Sequence, residues 1–99
     1  MIRVEFAPEA EADLLDIALY IAADDRDRAL SFVSELEARC AGLAQFPERG
    51  RDRSDLTPGL RSLVHGHYVI FYTPSRGAVR IERILHGARD VEGEFGGRG

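Results

Sequence analysis

Few residues in this chain have the chemistry for a reactive site. They are Cys40, the histidines His65, His67 and His86, acidic pairs such as Asp13 and Asp16, and thirteen basic residues that are all arginine. Cys40 falls on the apolar stripe of an amphipathic segment, where a buried thiol has a raised pKa and reacts poorly. Ser31, Ser34 and Ser62 stand in no nucleophile-elbow pattern. His65 and His67 flank Gly66 at what reads as a hairpin tip, where solvated polar side chains are ordinary. Without a convergent cysteine or carboxylate spacing, three histidines do not make a metal motif, and neither a metal nor a cofactor is expected. Asp13 and Asp16 read as the solvated side of a helix, because nothing in the pattern buries them to tune acid or base strength.

The arginines form the remaining constellation. Arg49, Arg51, Arg53 and Arg61 come from a polar stretch and the strand after it, and Arg80, Arg83 and Arg89 from the last strand and its exit. Arginine offers a planar fork that suits carboxylates, so a rim of them reads as a surface for acidic partners.

Hydrophobic periodicity supplies the elements that must position these groups. Ile2, Val4 and Phe6 alternate with Arg3 and Glu5, the period of a strand with one buried face. Pro8 suits a first helical position, and Glu9, Glu11 and Asp13 suit the positive end of a helix dipole. A helix is expected from Pro8 to about Ala23, with Leu14, Ile17, Ala18 and Ile21 inward. Asp24 or Asp25 can cap a second helix, in which Ala29, Phe32, Val33, Leu36, Cys40, Leu43 and Ala44 keep the 3.6 period until Pro47 ends it near Gln45. The short connection between the two makes an antiparallel hairpin.

Arg49–Gly59 reads as a loop, followed by strands over Leu60–Val64, Tyr68–Thr73 and Ala78–His86 joined by short turns. The order strand, helix, helix, strand, strand, strand is that of an α+β two-layer sandwich, its helical hairpin packed on a mainly antiparallel sheet. Strand one must join an edge of the meander, and pairing with the last strand is favoured. A single domain over residues 1–90 and a weakly structured, glycine-rich tail over 91–99 complete the outline.

Charge is divided along the chain. Up to Glu48 there are four arginines against eleven acids, and from Arg49 onward nine against six, within a net charge of −4. A net acidic chain lacks the broad positive field of a protein whose main task is gripping nucleic acid, so direct nucleic-acid binding is not expected. No apolar run approaches the roughly 18 to 20 residues that span a bilayer, and the N-terminal stretch lacks the apolar segment of a signal peptide, so a cytosolic protein without membrane contact is expected.

The last strand holds one irregularity. Strict alternation puts Arg83 on the face of Val79, Ile81 and Leu85, with Ile84 out of phase. A bulge near Glu82 would remove the conflict. Otherwise Arg83 needs an acidic partner, from this chain or another.

Several segments, taken in order, carry a resemblance. They are Asp13-Leu14-Leu15-Asp16-Ile17 with Tyr20-Ile21-Ala22, Phe46-Pro47-Glu48-Arg49-Gly50-Arg51, Leu56-Thr57-Pro58-Gly59-Leu60-Arg61-Ser62, Tyr68-Val69-Ile70-Phe71-Tyr72 and Arg83-Ile84-Leu85-His86-Gly87-Ala88-Arg89-Asp90. In this order and spacing the chain resembles the ParE branch of the RelE/ParE superfamily of type II toxin–antitoxin systems. The resemblance implies a small cytosolic toxin that poisons DNA gyrase rather than performing chemistry, held in a hetero-oligomer with a cognate ParD-like antitoxin. An antitoxin segment would bind by apolar anchors, with its carboxylates meeting Arg49, Arg51, Arg61, Arg83 and Arg89. The alternative within the superfamily is a RelE-type, ribosome-dependent mRNA endoribonuclease, for which Arg61, Arg83 and His86 are the candidate groups. After His86 there is no Tyr, Lys or His to complete such a site.

Overall fold

A computed structural model describes residues 2–87 and 91–95 of the chain. β1 (Arg3–Phe6) is followed by α1 (Pro8–Ala22), α2 (Arg26–Ala41) and a 3-10 turn (Gly42–Ala44). Then come β2 (Arg51–Asp52), β3 (Arg61–His65), β4 (Tyr68–Ser75), β5 (Ala78–His86) and α3 (Val91–Glu94). The five strands make one sheet in the order β1-β5-β4-β3-β2. Strand one does pair with the last strand, and it runs parallel to it, while the other pairs are antiparallel.

Local chemistry accounts for the boundaries. Asp25 caps α2 by accepting the Arg28 N–H at 3.0 Å, closing one of the donors a helix start leaves open. α2 ends at Ala41, short of the expected Gln45, because the chain tightens into the 3-10 turn. β4 continues to Ser75 through Pro74, beyond the expected end at Thr73. A proline is tolerated there because β3 pairs with β4 only over Tyr68–Tyr72, so Pro74 has a strand on one side alone. Inside the expected Arg49–Gly59 loop lies the two-residue β2, paired with Ser62 and Arg61. Within the segment expected to be a weakly structured tail, Val91–Glu94 instead forms a helical turn.

The core lies between the helical hairpin and one sheet face, with Ile17, Leu36, Cys40, Ile70, Tyr72 and Ile81 at its centre. A smaller cluster of Leu60, Phe71 and Leu85 occupies the opposite face. A β-bulge at Glu82 makes both possible. Tyr72 pairs with Ile81 and Phe71 with Arg83, so Glu82 has no partner and the phase of β5 shifts. Ile81 and Ile84 then both face the helices while Leu85 joins the far cluster.

Cys40 is fully buried, as its place on the stripe of α2 predicts, and burial pushes its thiol up to about 12. In native protein near pH 8, its labelling by a thiol-specific disulfide reagent is expected to be about a thousandfold slower than in denaturant. Equal rates would place the thiol at the surface. The folded state also holds this proton more tightly than the unfolded chain. The thiol's contribution to stability is therefore intact below its ordinary value of 9.0 and is lost as pH rises from there toward about 12.

Candidate functional site

Three local arrangements decide what the candidate residues can do. The first surrounds Gly50, between the 3-10 turn and β3. Its N–H donates to the Tyr72 hydroxyl at 2.8 Å, and its carbonyl accepts from Arg61 Nε at 3.0 Å. Arg61 Nη2 also donates to the Glu48 carbonyl at 3.2 Å. Arg61 therefore fastens the segment 48–50 to the sheet. Arg49 and Arg51, on either side of the anchored glycine, are exposed and form no ion pair among the described residues. Phe46 beside them is 63% exposed. The backbone is held rigidly while the flanking side chains remain free to meet a partner.

The second arrangement corrects the expectation for Asp13. Although placed on the solvated side of helix one from sequence, Asp13 is only 8% exposed. β1 pairs with β5 as far as Phe6 and Ile81, then turns into α1, so the rest of β5 lacks a strand on that side. Asp13 takes the place of a strand partner, accepting the Ile84 N–H at 2.9 Å. Its two oxygens also accept from Arg83 Nε at 2.8 Å and Nη2 at 2.9 Å, a bidentate pair. Arg83 Nη1 donates to Glu94 of α3 at 2.7 Å. These bonds, Asp13 first, raise the Arg83 pKa above its already high value and keep the group cationic. Both solutions considered for the phase of β5, a bulge and an internal acidic partner, are present together. A signal for Asp13 exists in the sequence: it lies three residues after Ala10 and four before Ile17, within the buried stripe.

The third arrangement is an open groove of about 870 Å³ between the helical hairpin and the far ends of β4 and β5. Ile17, Phe32 and Ile84 are buried apolar groups along it, and Asp16, Tyr20, Arg28, His67 and His86 are exposed around it. Burial pushes the Tyr68 phenol there upward. The His67 and His86 rings stack 6.2 Å apart, and Tyr68 meets His86 edge-on at 5.4 Å. Among the described residues no cluster of three or more histidine, cysteine or carboxylate groups could hold a metal ion.

Among the described residues the arginines do not all converge on one site. Arg51, Ser62, Phe71 and Arg83 form one cross-strand row, so Arg51 and Arg83 share a sheet face but lie three strand spacings apart, roughly 14 Å. Arg61 pairs with Tyr72 and so belongs to the helix-covered face. His86 shares that face with Tyr68, but lies four residues further along the strands, roughly 13 Å from the level of Arg61. Arg89 lies outside the described residues.

Residues 4–91 match the family described as the ParE toxin of the type II toxin–antitoxin system parDE. The chain belongs to this ParE toxin family. It is 36% identical over 64 residues to Toxin ParE3 of Caulobacter vibrioides (strain ATCC 19089 / CIP 103742 / CB 15), across 65% of this chain and 64% of that protein. The alignment thus spans less than two thirds of the relative's length. A solved chain from the chromosomal ParDE toxin–antitoxin system of P. aeruginosa shares the fold, with a TM-score of 0.72 at 24% identity over 87% of this chain and 96% of that one. A family spanning 4–91 covers all but the first residue of β1 and every element from α1 to β5, including the Gly50 anchor and the Asp13–Arg83 pair. Among the described residues no helix of this ParE-family chain is long and apolar enough to cross a membrane.

Proposed function

We propose that this chain is the toxin of a type II toxin–antitoxin pair, that it acts in the cytoplasm by inhibiting DNA gyrase without chemistry of its own, and that a cognate antitoxin neutralises it in a hetero-oligomer. Membership of the ParE toxin family supports the reading. The observation that carries its non-catalytic part is the dispersal of the three ribonuclease candidates. Arg61 is bound to backbone carbonyls, Arg83 is taken up by the two carboxylates of Asp13 and Glu94, and His86 is far along the sheet. General acid–base catalysis needs its groups within hydrogen-bond reach of one reacting centre, and these three share none. A net acidic chain also supplies little of the phosphate neutralisation that RNA binding draws on.

The antitoxin segment, disordered when free, lays apolar residues into the groove along Ile17, Phe32 and Tyr68 and presents carboxylates to Arg49 and Arg51. Arg61 and Arg83 contribute through what they hold in place, and Arg89 remains a candidate from its sequence position. In a supercoiling assay, purified chain should inhibit gyrase at micromolar protein and stoichiometric antitoxin should restore activity. Arg49→Ala with Arg51→Ala should weaken that rescue about tenfold while leaving the fold intact. Cleavage of mRNA on translating ribosomes, abolished by His86→Ala, would replace this reading with the enzymatic one.

A further inference from the structure

β1 is a free edge of the sheet. Among the described residues its only neighbouring strand is β5, and the register of that parallel pair fixes which of its backbone groups point away. The Arg3 N–H donates to the Gly77 carbonyl at 3.0 Å, and the Ala7 N–H to the Ile81 carbonyl at 2.8 Å. Odd-numbered residues therefore bond toward β5. The backbone groups of successive residues point to alternate sides of a strand, so those of Ile2, Val4 and Phe6 face outward. They form an open template for another strand.

The side chains of this edge are divided between the two sheet faces. Ile2, Val4 and Phe6 pack against the core beneath the helices, while Arg3 and Glu5 stand on the opposite face with side-chain exposures of 73% and 44%. Arg3 and Glu5 are bonded to each other at 2.7 Å, and Arg80, opposite Glu5 on β5, is paired with Glu82 at 3.4 Å. Charges on an edge strand ordinarily keep a second copy away. Their order here has the reverse effect. A closed pair of identical chains needs a two-fold axis, and two β1 strands lying side by side about such an axis run antiparallel. Outward groups must meet outward groups, so even residues oppose even residues. Ile2 against Val4 would set Arg3 opposite the second copy's Arg3, and Val4 against Phe6 would set Glu5 opposite Glu5. Both registers bring like charges together. Val4 against Val4 instead sets Arg3 opposite Glu5 twice, at the non-hydrogen-bonded positions where side chains approach most closely, and sets Ile2 opposite Phe6 on the core side. Of the three registers, this one alone is attractive at every position.

We propose that β1 is a self-pairing edge: two copies of this chain join through antiparallel β1 strands with Val4 at the two-fold axis, and the Arg3–Glu5 pair within each copy is exchanged for two reciprocal pairs between copies. The sheet of one copy then continues into that of the other. The strand is four residues long, so the contact is small and the dimer weak, with a dissociation constant on the order of 10 to 100 µM. β2 lies at the other edge of the sheet, so this pairing leaves Arg49 and Arg51 open. On the function proposed above, each toxin of the dimer keeps its own antitoxin loop free, but the self-pairing itself does not depend on that function.

Sedimentation of the purified full chain over a range of concentrations tests this, with charge reversals at the two exposed positions. Arg3→Glu and Glu5→Arg each make both cross-strand pairs repulsive. Each should weaken dimerisation about tenfold or more and, being at the surface, leave the fold intact by circular dichroism. An equimolar mixture of the two variants should dimerise about as tightly as the parent, because every cross-strand pair is then a glutamate against an arginine. Recovery in the mixture also excludes misfolding as the cause of the loss. A parent that stays monomeric up to about 1 mM would overturn the proposal, as would a dimer indifferent to both reversals or a mixture no heavier than its separate components. A monomeric parent whose antitoxin binding is weakened by either reversal would assign this edge to an antitoxin strand instead.

Discussion

Asp13→Ala is expected to lower the free energy of unfolding by about 3 kcal/mol, the lower end of the range for removing one partner of a buried ion pair. Three donors lose their acceptor at once: Arg83 Nε, Arg83 Nη2 and the Ile84 N–H. The amide is the costlier orphan, because β1 ends too early to supply a replacement, and an unpaired buried N–H forfeits its full desolvation cost. Arg83 keeps Glu94 and has side-chain exposure of 19%, so water recovers part of its loss. Asp13→Asn, which retains an oxygen for one of these donors, should cost about half as much. Asp16→Ala, on the same helix but exposed, should stay within about 0.5 kcal/mol. Urea unfolding of the three variants separates these cases. Equal midpoints for Asp13→Ala and Asp16→Ala would mean that helix one presents both acids to water.

Gly50→Ala is expected to cost about 2 to 3 kcal/mol and to weaken antitoxin rescue in the gyrase assay beyond its effect on folding. A Cβ at position 50 would lie 2.6 Å from the Ser62 carbonyl oxygen and 2.6 Å from the Tyr72 hydroxyl. Neither neighbour can yield freely. The first is backbone within β3, and the second is a fully buried ring whose hydroxyl already accepts the Gly50 N–H. The loop must lift, and Arg61 then loses its grip on Gly50 and Glu48 while Arg49 and Arg51 lose their presentation. Gly42→Ala provides the contrast. Nothing lies within 4 Å of its added carbon and its backbone has a helical φ of −63°, so this substitution should stabilise by about 0.5 kcal/mol through the unfolded chain. Thermal melts of both, with antitoxin titrations below the lower midpoint, distinguish a lifted loop from general destabilisation. Full rescue by antitoxin in folded Gly50→Ala would remove this loop from the interface.

Both positions show why the candidate site was only partly legible before the fold was known. Asp13 belongs by spacing to the buried stripe and by residue type to the solvated side, and residue type is normally the safer guide because carboxylates are rarely buried unpaired. What overrides it is a cation seventy residues later in the chain, brought beside it by a parallel strand pairing that periodicity does not reveal. The importance of Gly50 is hidden for a similar reason, since its close neighbours are Ser62 and Tyr72 on two different strands. Arg49 and Arg51 were legible as free cations. Arg61 looked the same in sequence, and only its bonding partners separate it, whereas the phase of Arg83 already called for a bulge or an acidic partner and the structure names that partner.

Local pattern alone determined the two long helices and the four longer strands, their order, the helical hairpin, the burial of Cys40 and the family. Each depends on periodicity, capping or short motifs that act over a few residues. Tertiary structure decided the parallel sense of β1, the two-residue β2, the internal partners of Arg61 and Arg83, and the helical turn that covers the second sheet face. These depend on which groups become neighbours after strands far apart in the chain have paired. A guanidinium becomes a clamp or a free contact according to whether a carboxylate or carbonyl arrives beside it, and that is settled by register and by where a neighbouring strand stops.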